Sequence, residues 1–291
     1  MSATSNGRPA RSPTPEGAPV PGKRSAGRNL PVAIASGVLL AAIFLGTLFV
    51  SITGFLVFWA VLVVIALFEL DKAFRTQDLR PALPVAVGAG LVLVFGAYYG
   101  GPAAQSFGLV LLLLGAMAWT LVDTRRDHVA ASIGATVLMG LWVPFLASFV
   151  GRLLTRPDGI WYVMAAVALT VSGDIGAYGF GSAFGKHKMA PSISPAKTWE
   201  GFGGGLLTVL VVAALIMSRV PGFDLALALV FGVGAFLGGT AGDLAESMVK
   251  RDLGVKDLGG IVPGHGGIMD RADAVLFALP VAHAILTLFG R

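Results

Sequence analysis

The chain has 291 residues and a net charge of +5; 55% of the residues are hydrophobic and only 13% are charged. Ordinary soluble domains carry about 25% charged residues, so this composition excludes a soluble globular protein and predicts an all-α integral membrane protein. The basic residues are spread between apolar stretches, which favours membrane topology over nucleic-acid binding, and the lack of cysteine excludes disulfides and thiolate metal sites.

The first segment in chain order, residues 1–28, is rich in Pro, Ser, Gly and Arg, a composition that predicts a disordered tail. Residues 29–291 are predicted to form one membrane-embedded catalytic domain, because about nine apolar stretches leave no room for a separate soluble domain. The predicted spans are 31–50, 54–70, 82–99, 106–122, 130–150, 160–181, 201–218, 224–244 and 273–290.

The lysines and arginines between these spans predict the orientation of the chain. With a cytoplasmic N-terminus, 17 of the 21 basic residues fall on cytoplasmic segments, as the positive-inside rule requires. The tail is then cytoplasmic, and the two most polar loops, 185–200 and 245–272, lie on the side of the membrane where nucleotides are available.

The first five spans, within residues 29–150, consist of apolar residues with no ionisable residue well inside, and they predict a scaffold. Glu69 and Asp71 stand at a span end, beside a loop of mixed charges that is typical of a solvated surface. The chemistry is therefore expected in the second half of the chain, residues 160–291.

Asp174 stands about fifteen residues into the sixth span. A carboxylate at that depth costs roughly 2.5 to 3.5 kcal/mol unless it faces a cavity or a partner. We therefore expect Asp174 to lie at a functional site.

The polar segment 186–201, KHKMAPSISPAKTWEG, precedes the seventh span. Lys186, Ser194, Lys197 and Thr198 supply hydroxyls and ammonium groups beside a helix start, which suits phosphate oxygens. An alternative stays open, in which the loop attracts anionic lipid head groups and Ser194 or Thr198 merely caps the helix.

The eighth and ninth spans meet at a second polar segment. If the eighth helix continues through residue 251, Asp243, Ser247 and Lys250 share one of its faces, and Asp270 and Asp273 share a face where the ninth span begins. Helix ends that present carboxylates can meet around Mg²⁺, so three residues are predicted as metal ligands: Asp243, Asp270 and Asp273. Positive charge for the rest of an anionic ligand comes from four residues: Lys250, Arg251, Lys256 and Arg271.

Salt bridges and topology signals would explain the basic residues of this segment equally well, but not carboxylates clustered at two membrane boundaries. Residues 250–256 are predicted to continue the eighth helix out of the membrane. The following GGIVPGHGG, residues 259–267, cannot form regular helix and is predicted to be the flexible wall of a ligand cavity. His265 within it is expected to hydrogen-bond a phosphate or a base, unless it only holds the turn.

Segment 247–273 resembles the signature of the phosphatidate cytidylyltransferases, also called CDP-diglyceride synthases, S-x-x-K-R-x4-K-D followed by P-x-H-G-G-x-x-D-R-x-D. The matching residues are Ser247, Lys250, Arg251, Lys256, Asp257, Gly259, Pro263, His265, Gly266, Gly267, Asp270, Arg271 and Asp273. An upstream stretch is similar to the same family at Asp174, Lys186, Ser194, Pro195, Lys197, Thr198 and Glu200. The motifs cover residues 160–290, and the rest of the chain resembles the family only in its architecture.

The resemblance implies a transferase of phospholipid biosynthesis that uses CTP and phosphatidate and releases CDP-diacylglycerol and pyrophosphate. It implies Mg²⁺ on Asp243 and Asp270, with room for a second cation, and Asp273 as a third ligand or as a partner of the ligands. It also implies phosphates held by the four basic residues and by the upstream loop. It further implies a multi-pass protein of the inner (plasma) membrane, surrounded by lipid, with its active site facing the cytoplasm, and it allows a homodimer. The alternatives are a membrane transferase acting on another lipid, such as a polyprenol kinase, and a secondary transporter.

Overall fold

The computed structural model of the chain describes residues 30–124, 127–259 and 266–291, with side chains from Ala35 onward. The predicted tail, 1–28, and His265 lie outside these residues. The helices are α1 (Leu30–Val50), α2 (Ile52–Arg75), α3 (Leu83–Tyr99), α4 (Gly101–Val122), α5 (Val129–Gly140), α6 (Leu146–Leu154), α7 (Gly159–Phe184), α8 (Trp199–Leu215), α9 (Leu225–Asp252) and α10 (Met269–Leu288). A short hairpin of β1 (Lys188–Ala190) and β2 (Ser194–Thr198) joins α7 to α8.

Seven helical stretches in these ranges are long and apolar enough to cross a membrane. One of them, Val129–Leu154, combines α5 and α6 through a π-helical turn around Pro144, whose ring cannot take part in regular helix hydrogen bonding. Two shorter apolar helices, Ala35–Val50 and Leu83–Tyr99, lie where the first and third spans are predicted. The all-α polytopic class is thus confirmed, while the count of nine spans and the cytoplasmic N-terminus stay predictions.

The interior of the helix bundle is apolar, and so is much of its outer surface. Phe55, Leu169 and Phe231 are completely buried between helices, whereas Leu121 and Val122 are 78% and 83% exposed. Lipid is as apolar as these side chains, so the exposed surface is the one expected of a protein surrounded by hydrocarbon.

Helices α9 and α10 pack closely along each other, and this packing positions the candidate site. A Cβ added at Gly242 would meet the backbone carbonyl of Asp273, so the two helices approach to a distance that only glycine permits. The residue after this contact on α9 is Asp243. The close crossing therefore brings the carboxylates of Asp243 and Asp273 to the same level.

The end of α9 is partly as predicted. The helix continues to Asp252, as the shared face of Asp243, Ser247 and Lys250 requires. It stops there because Gly254 adopts a left-handed conformation, with φ of +66°, which is a common way to end a helix. The prediction that the helix extends to Lys256 is wrong, since Lys256 lies in a bend beyond the end.

The segment before α8 is a hairpin rather than a loop. Lys188 lies opposite Thr198 and Ala190 opposite Ser194 in an antiparallel pair. The Thr198 hydroxyl accepts a hydrogen bond of 3.1 Å from the backbone N–H of Gly201 and so caps α8. The capping interpretation is thus confirmed for Thr198.

Candidate active site

A polar cavity of about 580 Å³ lies between α7, the hairpin, α8, α9 and α10. This volume falls within the range of about 300–1,000 Å³ that is typical of ligand sites. The charged residues of its wall are Asp174, Lys197, Asp243, Glu246, Lys250, Asp270, Arg271 and Asp273. So much charge inside a helical membrane protein is costly unless it serves a ligand.

Three carboxylates gather on one side of the cavity. Asp243, Glu246 and Asp273 each offer an oxygen atom, and these atoms lie within 4.8 Å of one another. Asp243 and Glu246 share a face of α9 because they are three residues apart, and Asp273 stands in the second turn of α10. Glu246 is 1% exposed and Asp273 is 7% exposed. Buried like charges at this spacing repel one another, so the cluster requires positive charge nearby.

Two lysines supply part of that charge. Lys250 lies one turn beyond Glu246 on α9, and its Nζ lies 2.7 Å from a Glu246 oxygen and 2.9 Å from Asp270 Oδ1. Lys197 reaches in from β2 and places its Nζ 2.5 Å from Asp243 Oδ2. Each lysine therefore joins a carboxylate of α9 to another part of the site, either α10 or the hairpin.

Asp270 connects the two ends of the glycine-rich segment. Its carboxylate accepts hydrogen bonds from the backbone N–H of Gly267 at 3.0 Å and of Leu258 at 3.2 Å, in addition to the contact with Lys250. Leu258 and Gly267 flank residues 260–265. In this structure Asp270 therefore holds Leu258 and Gly267 close to each other beside the cavity.

The hairpin is fixed to both neighbouring helices. The Glu200 carboxylate, in the first turn of α8, accepts hydrogen bonds from the backbone N–H groups of Lys186 and His187 and lies 2.5 Å from His187 Nδ1. Arg251, at the end of α9, donates from Nε to the carbonyl of Ile193 at 3.2 Å. These contacts hold Lys197 of β2 over the carboxylates.

The structure brings eight of the predicted site residues into the wall of one cavity: Asp174, Lys197, Thr198, Asp243, Lys250, Asp270, Arg271 and Asp273. Within the described ranges, five others do not line it: Lys186, Ser194, Ser247, Arg251 and Lys256. Lys186 and Arg251 contribute to anchoring the hairpin, whereas His265 lies outside the described residues.

The sequence interpretation missed Glu246 as a possible ligand. A glutamate four residues before a lysine on a helix is typical of a surface ion pair, and that pairing does not mark Glu246 as a ligand. The structure turns that face inward, so the residue becomes a nearly inaccessible member of the carboxylate cluster. Its spacing of three from Asp243 was the signal that could have identified it.

The fold and the cavity define a class of protein, a polytopic membrane enzyme whose charged site suits phosphate groups and a divalent cation. Comparison with known families is more specific. The model of the cytidylyltransferase family matches residues 31–289, so nearly the whole chain, including the scaffold half, belongs to that family. The family resemblance drawn from the motifs is thus confirmed.

Curated relatives cover most of the chain. The phosphatidate cytidylyltransferase of Mycobacterium leprae is 36% identical over 284 residues, 90% of this chain and 89% of its own length. The phosphatidate cytidylyltransferase of Mycobacterium tuberculosis H37Rv is 33% identical over 286 residues, 90% of this chain and 84% of its own. That of Staphylococcus aureus COL is 33% identical over 260 residues, 86% of this chain and 96% of its own.

Proposed function

We propose that this chain transfers a cytidylyl group from CTP to phosphatidate and forms CDP-diacylglycerol and pyrophosphate. The observation that carries the proposal is the cavity in which three clustered carboxylates lie beside Lys197, Lys250 and Arg271. This combination of acid and base suits a nucleoside triphosphate bound together with a cation. Membership of the cytidylyltransferase family and the names of the relatives support the same reaction.

In the proposed reaction, an oxygen of the phosphatidate phosphate attacks the α-phosphorus of CTP. The new bond joins that oxygen to the α-phosphorus, and the bond between the α-phosphorus and the oxygen that bridges it to the β-phosphorus breaks. Pyrophosphate leaves with the electron pair. A phosphate monoester has its second pKa near 6, so the nucleophile is already ionised near neutral pH and needs no general base.

The residues of the cavity therefore act by position and charge. Two polyanions must approach each other, and fixed cations in a site shielded from water lower the cost of that approach. Lys197 and Arg271 line the cavity from two different elements, β2 and α10, and we assign them to the phosphates. Lys250 lies deeper, with its side chain 16% exposed, and we assign it to holding Glu246 and Asp270 in place.

The carboxylate cluster fits Mg²⁺. Its donors are all oxygen atoms, which hard divalent cations prefer, and Glu246 Oε1 is buried without a hydrogen bond from the described residues. A buried carboxylate oxygen normally has a partner, and a cation would supply it. We propose that Asp243, Glu246 and Asp273 hold the cation and that it neutralises phosphate charge when bound. Asp270 stays a predicted ligand, although its carboxylate here contacts Lys250 and two backbone N–H groups.

We place the active site at the cytoplasmic face of the inner (plasma) membrane. The positive-inside distribution of the basic residues supports this orientation, and CTP is available on that side. The hairpin and the end of α9, which surround the cavity, belong to the two loops that the orientation assigns to the cytoplasm.

A second, apolar groove suits the lipid substrate. It has a volume of about 390 Å³ between α1, α2, α7 and α10, and its wall includes Phe44, Trp59 and Met164. Among the described residues of this wall, Arg271 is the charged one, and Arg271 also lines the polar cavity. A molecule with an anionic head and apolar chains can contact Arg271 with its phosphate and fill the groove with an acyl chain. We therefore assign the groove to an acyl chain of phosphatidate.

Val171→Trp is expected to impair binding of the lipid but not of the nucleotide. Val171 lines the groove from α7 and is 45% exposed, so an indole ring would occupy part of the space for the chain. Misfit in a hydrophobic pocket is worth about 1–3 kcal/mol, so the KM for phosphatidate in mixed micelles should rise about tenfold or more while the KM for CTP is unchanged. The matched control is Val211→Trp, which changes a valine of α8 that is 47% exposed and lines neither cavity. Equal effects of the two variants on the lipid KM would contradict the assignment.

Two rival functions make predictions that differ from those of the cytidylyl transfer. A polyprenol kinase would move the terminal phosphate of a nucleotide onto a lipid alcohol and would form no liponucleotide. A secondary transporter would need matching discontinuous helices in both halves of the chain, whereas the charged residues that the structure describes in the polar cavity come from the second half.

The test is an assay of the purified protein in detergent with Mg²⁺, using CTP or ATP as the nucleotide and phosphatidate or a polyprenol as the lipid. We expect CDP-diacylglycerol, identified by its mass, only in the assay that contains both CTP and phosphatidate. Phosphorylated polyprenol without a liponucleotide would instead support the kinase.

A further inference from the structure

Glu69, in the scaffold half of the chain, is a buried carboxylate without a role in the site described so far. It lies near the end of α2, and it is 3% exposed. Its position in the sequence predicted that Glu69 lies at the solvated end of a membrane span. The structure instead places it under the beginning of α10, the helix that carries Asp270, Arg271 and Asp273.

Glu69 supplies a hydrogen bond that α10 lacks locally. The first N–H groups of any helix need acceptors from outside the helix, and the residue before α10, Ile268, has no side-chain acceptor. Glu69 Oε2 accepts the backbone N–H of Met269, the first residue of α10, at 3.0 Å. The donor and the acceptor are 200 residues apart, and a carboxylate at this end of a helix is also favoured by the helix dipole.

Two glycines on either side of residues 260–265 pack against the same carboxylate. A Cβ at Gly267 would lie 2.5 Å from Glu69 Oε2, and a Cβ at Gly259 would collide with Glu69 Oε1 and Cδ. Neither glycine has a positive φ, so the backbone conformation does not require glycine at these positions. Contact with Glu69 accounts for both glycines.

We propose that Glu69 is a positioning residue, which fixes the first turn of α10 and thereby the place of Asp273 in the carboxylate cluster. Glu69 is not catalytic, since it lines neither cavity. Its effect passes through Met269 to Asp273, one turn further along the same helix. The inference rests on the proposed cation cluster, and its test must separate the two.

The experiment measures cation binding without turnover. Mn²⁺ serves as the probe, and its free concentration is followed by electron paramagnetic resonance in detergent-purified protein. Loss of a group that orients a metal ligand typically weakens metal binding about 10–100-fold. We expect Glu69→Ala to weaken Mn²⁺ binding by about tenfold, with a matching rise in the half-saturating Mg²⁺ concentration for activity. Glu69→Gln keeps an acceptor for Met269 and should recover part of the loss.

The matched controls are Asp71→Ala and Asp71→Asn. Asp71 is buried on the same helix, two residues away, and its carboxylate pairs with Arg75 at 2.7 Å within α2. These variants should lower the thermal midpoint as the Glu69 variants do, yet bind Mn²⁺ like the unaltered protein. If Glu69→Ala and Glu69→Gln lower the midpoint but bind Mn²⁺ normally, the residue is merely structural and the inference is overturned. Failure of the unaltered protein to bind Mn²⁺ would contradict the proposed cluster itself.

Gly267→Ala alone tests the same contact even if Glu69→Ala folds poorly, and a double-mutant cycle of the two substitutions tests it where both fold. The added methyl group should displace Glu69 from Met269 and weaken Mn²⁺ binding in the otherwise unaltered chain. In a Glu69→Ala chain the space is free, so Gly267→Ala should add no further loss, which is the non-additivity expected of contacting residues. Losses that multiply independently would show that Gly267 does not act through Glu69 and would overturn the inference.

Discussion

Asp273→Asn is expected to abolish turnover while leaving the protein folded. The substitution keeps the size of the side chain and removes one negative charge from a cluster whose three oxygen atoms lie within 4.8 Å. Weakened cation binding forfeits several kcal/mol of charge stabilisation, which corresponds to a loss on the order of a thousandfold in kcat/KM. The measurement is the rate of liponucleotide formation as a function of Mg²⁺ concentration.

The control for this variant is Asp224→Asn at the opposite end of α9. Asp224 caps that helix through the N–H of Leu227, and asparagine caps helices equally well. The Asp224→Asn variant should therefore retain full activity and stability. If Asp273→Asn turned over at a rate close to that of the control, Asp273 would not be a ligand and the cluster would need another explanation.

Lys250→Met is expected to cost both activity and stability. Lys250 is the cation between Glu246 and Asp270, and all three side chains are at most 16% exposed. Removing one partner of a buried ion pair leaves uncompensated charge and typically costs 3–5 kcal/mol. We therefore expect a large drop in the thermal midpoint in detergent and loss of product formation. Lys72→Met, at an exposed lysine of α2, should change neither quantity.

A second substitution separates the two effects of Lys250→Met. Adding Glu246→Gln removes one of the stranded charges, so part of the lost stability should return. Activity should not return, because the double variant also lacks a proposed cation ligand. Recovery of activity together with stability would indicate that Lys250 and Glu246 form only a structural pair.

Much of the site could be predicted from the sequence because its residues lie in short helical stretches with clear spacing. The face formed by Asp243 and Lys250 follows from helical geometry alone, and α9 does continue far enough for that face to form. Asp270 and Asp273 were expected at the start of the last helix, and α10 begins at Met269. Asp174 was expected to face a cavity because of its depth in the span, and it lines the polar one.

The remaining features depend on contacts between distant parts of the chain. Glu69 meets Met269 across 200 residues, and no local pattern distinguishes it from an ordinary charge at a span end. The function of Glu246 depends on which face of α9 turns toward α10, which the pairing with Lys250 does not reveal. The hairpin forms within a segment of three lysines and two prolines, where strand propensity is weak, and Arg251 and Glu200 hold it from two different helices.

The central chemical claim is that the group transferred to the lipid is the cytidylyl group and not the terminal phosphate. The most direct measurement repeats the assay with CTP labelled either at the α-phosphorus or at the γ-phosphorus, with the unaltered protein and with Asp273→Asn. Label from the α position should appear in the lipid, label from the γ position should appear in pyrophosphate, and Asp273→Asn should give neither. Label from the γ position in the lipid would contradict the account.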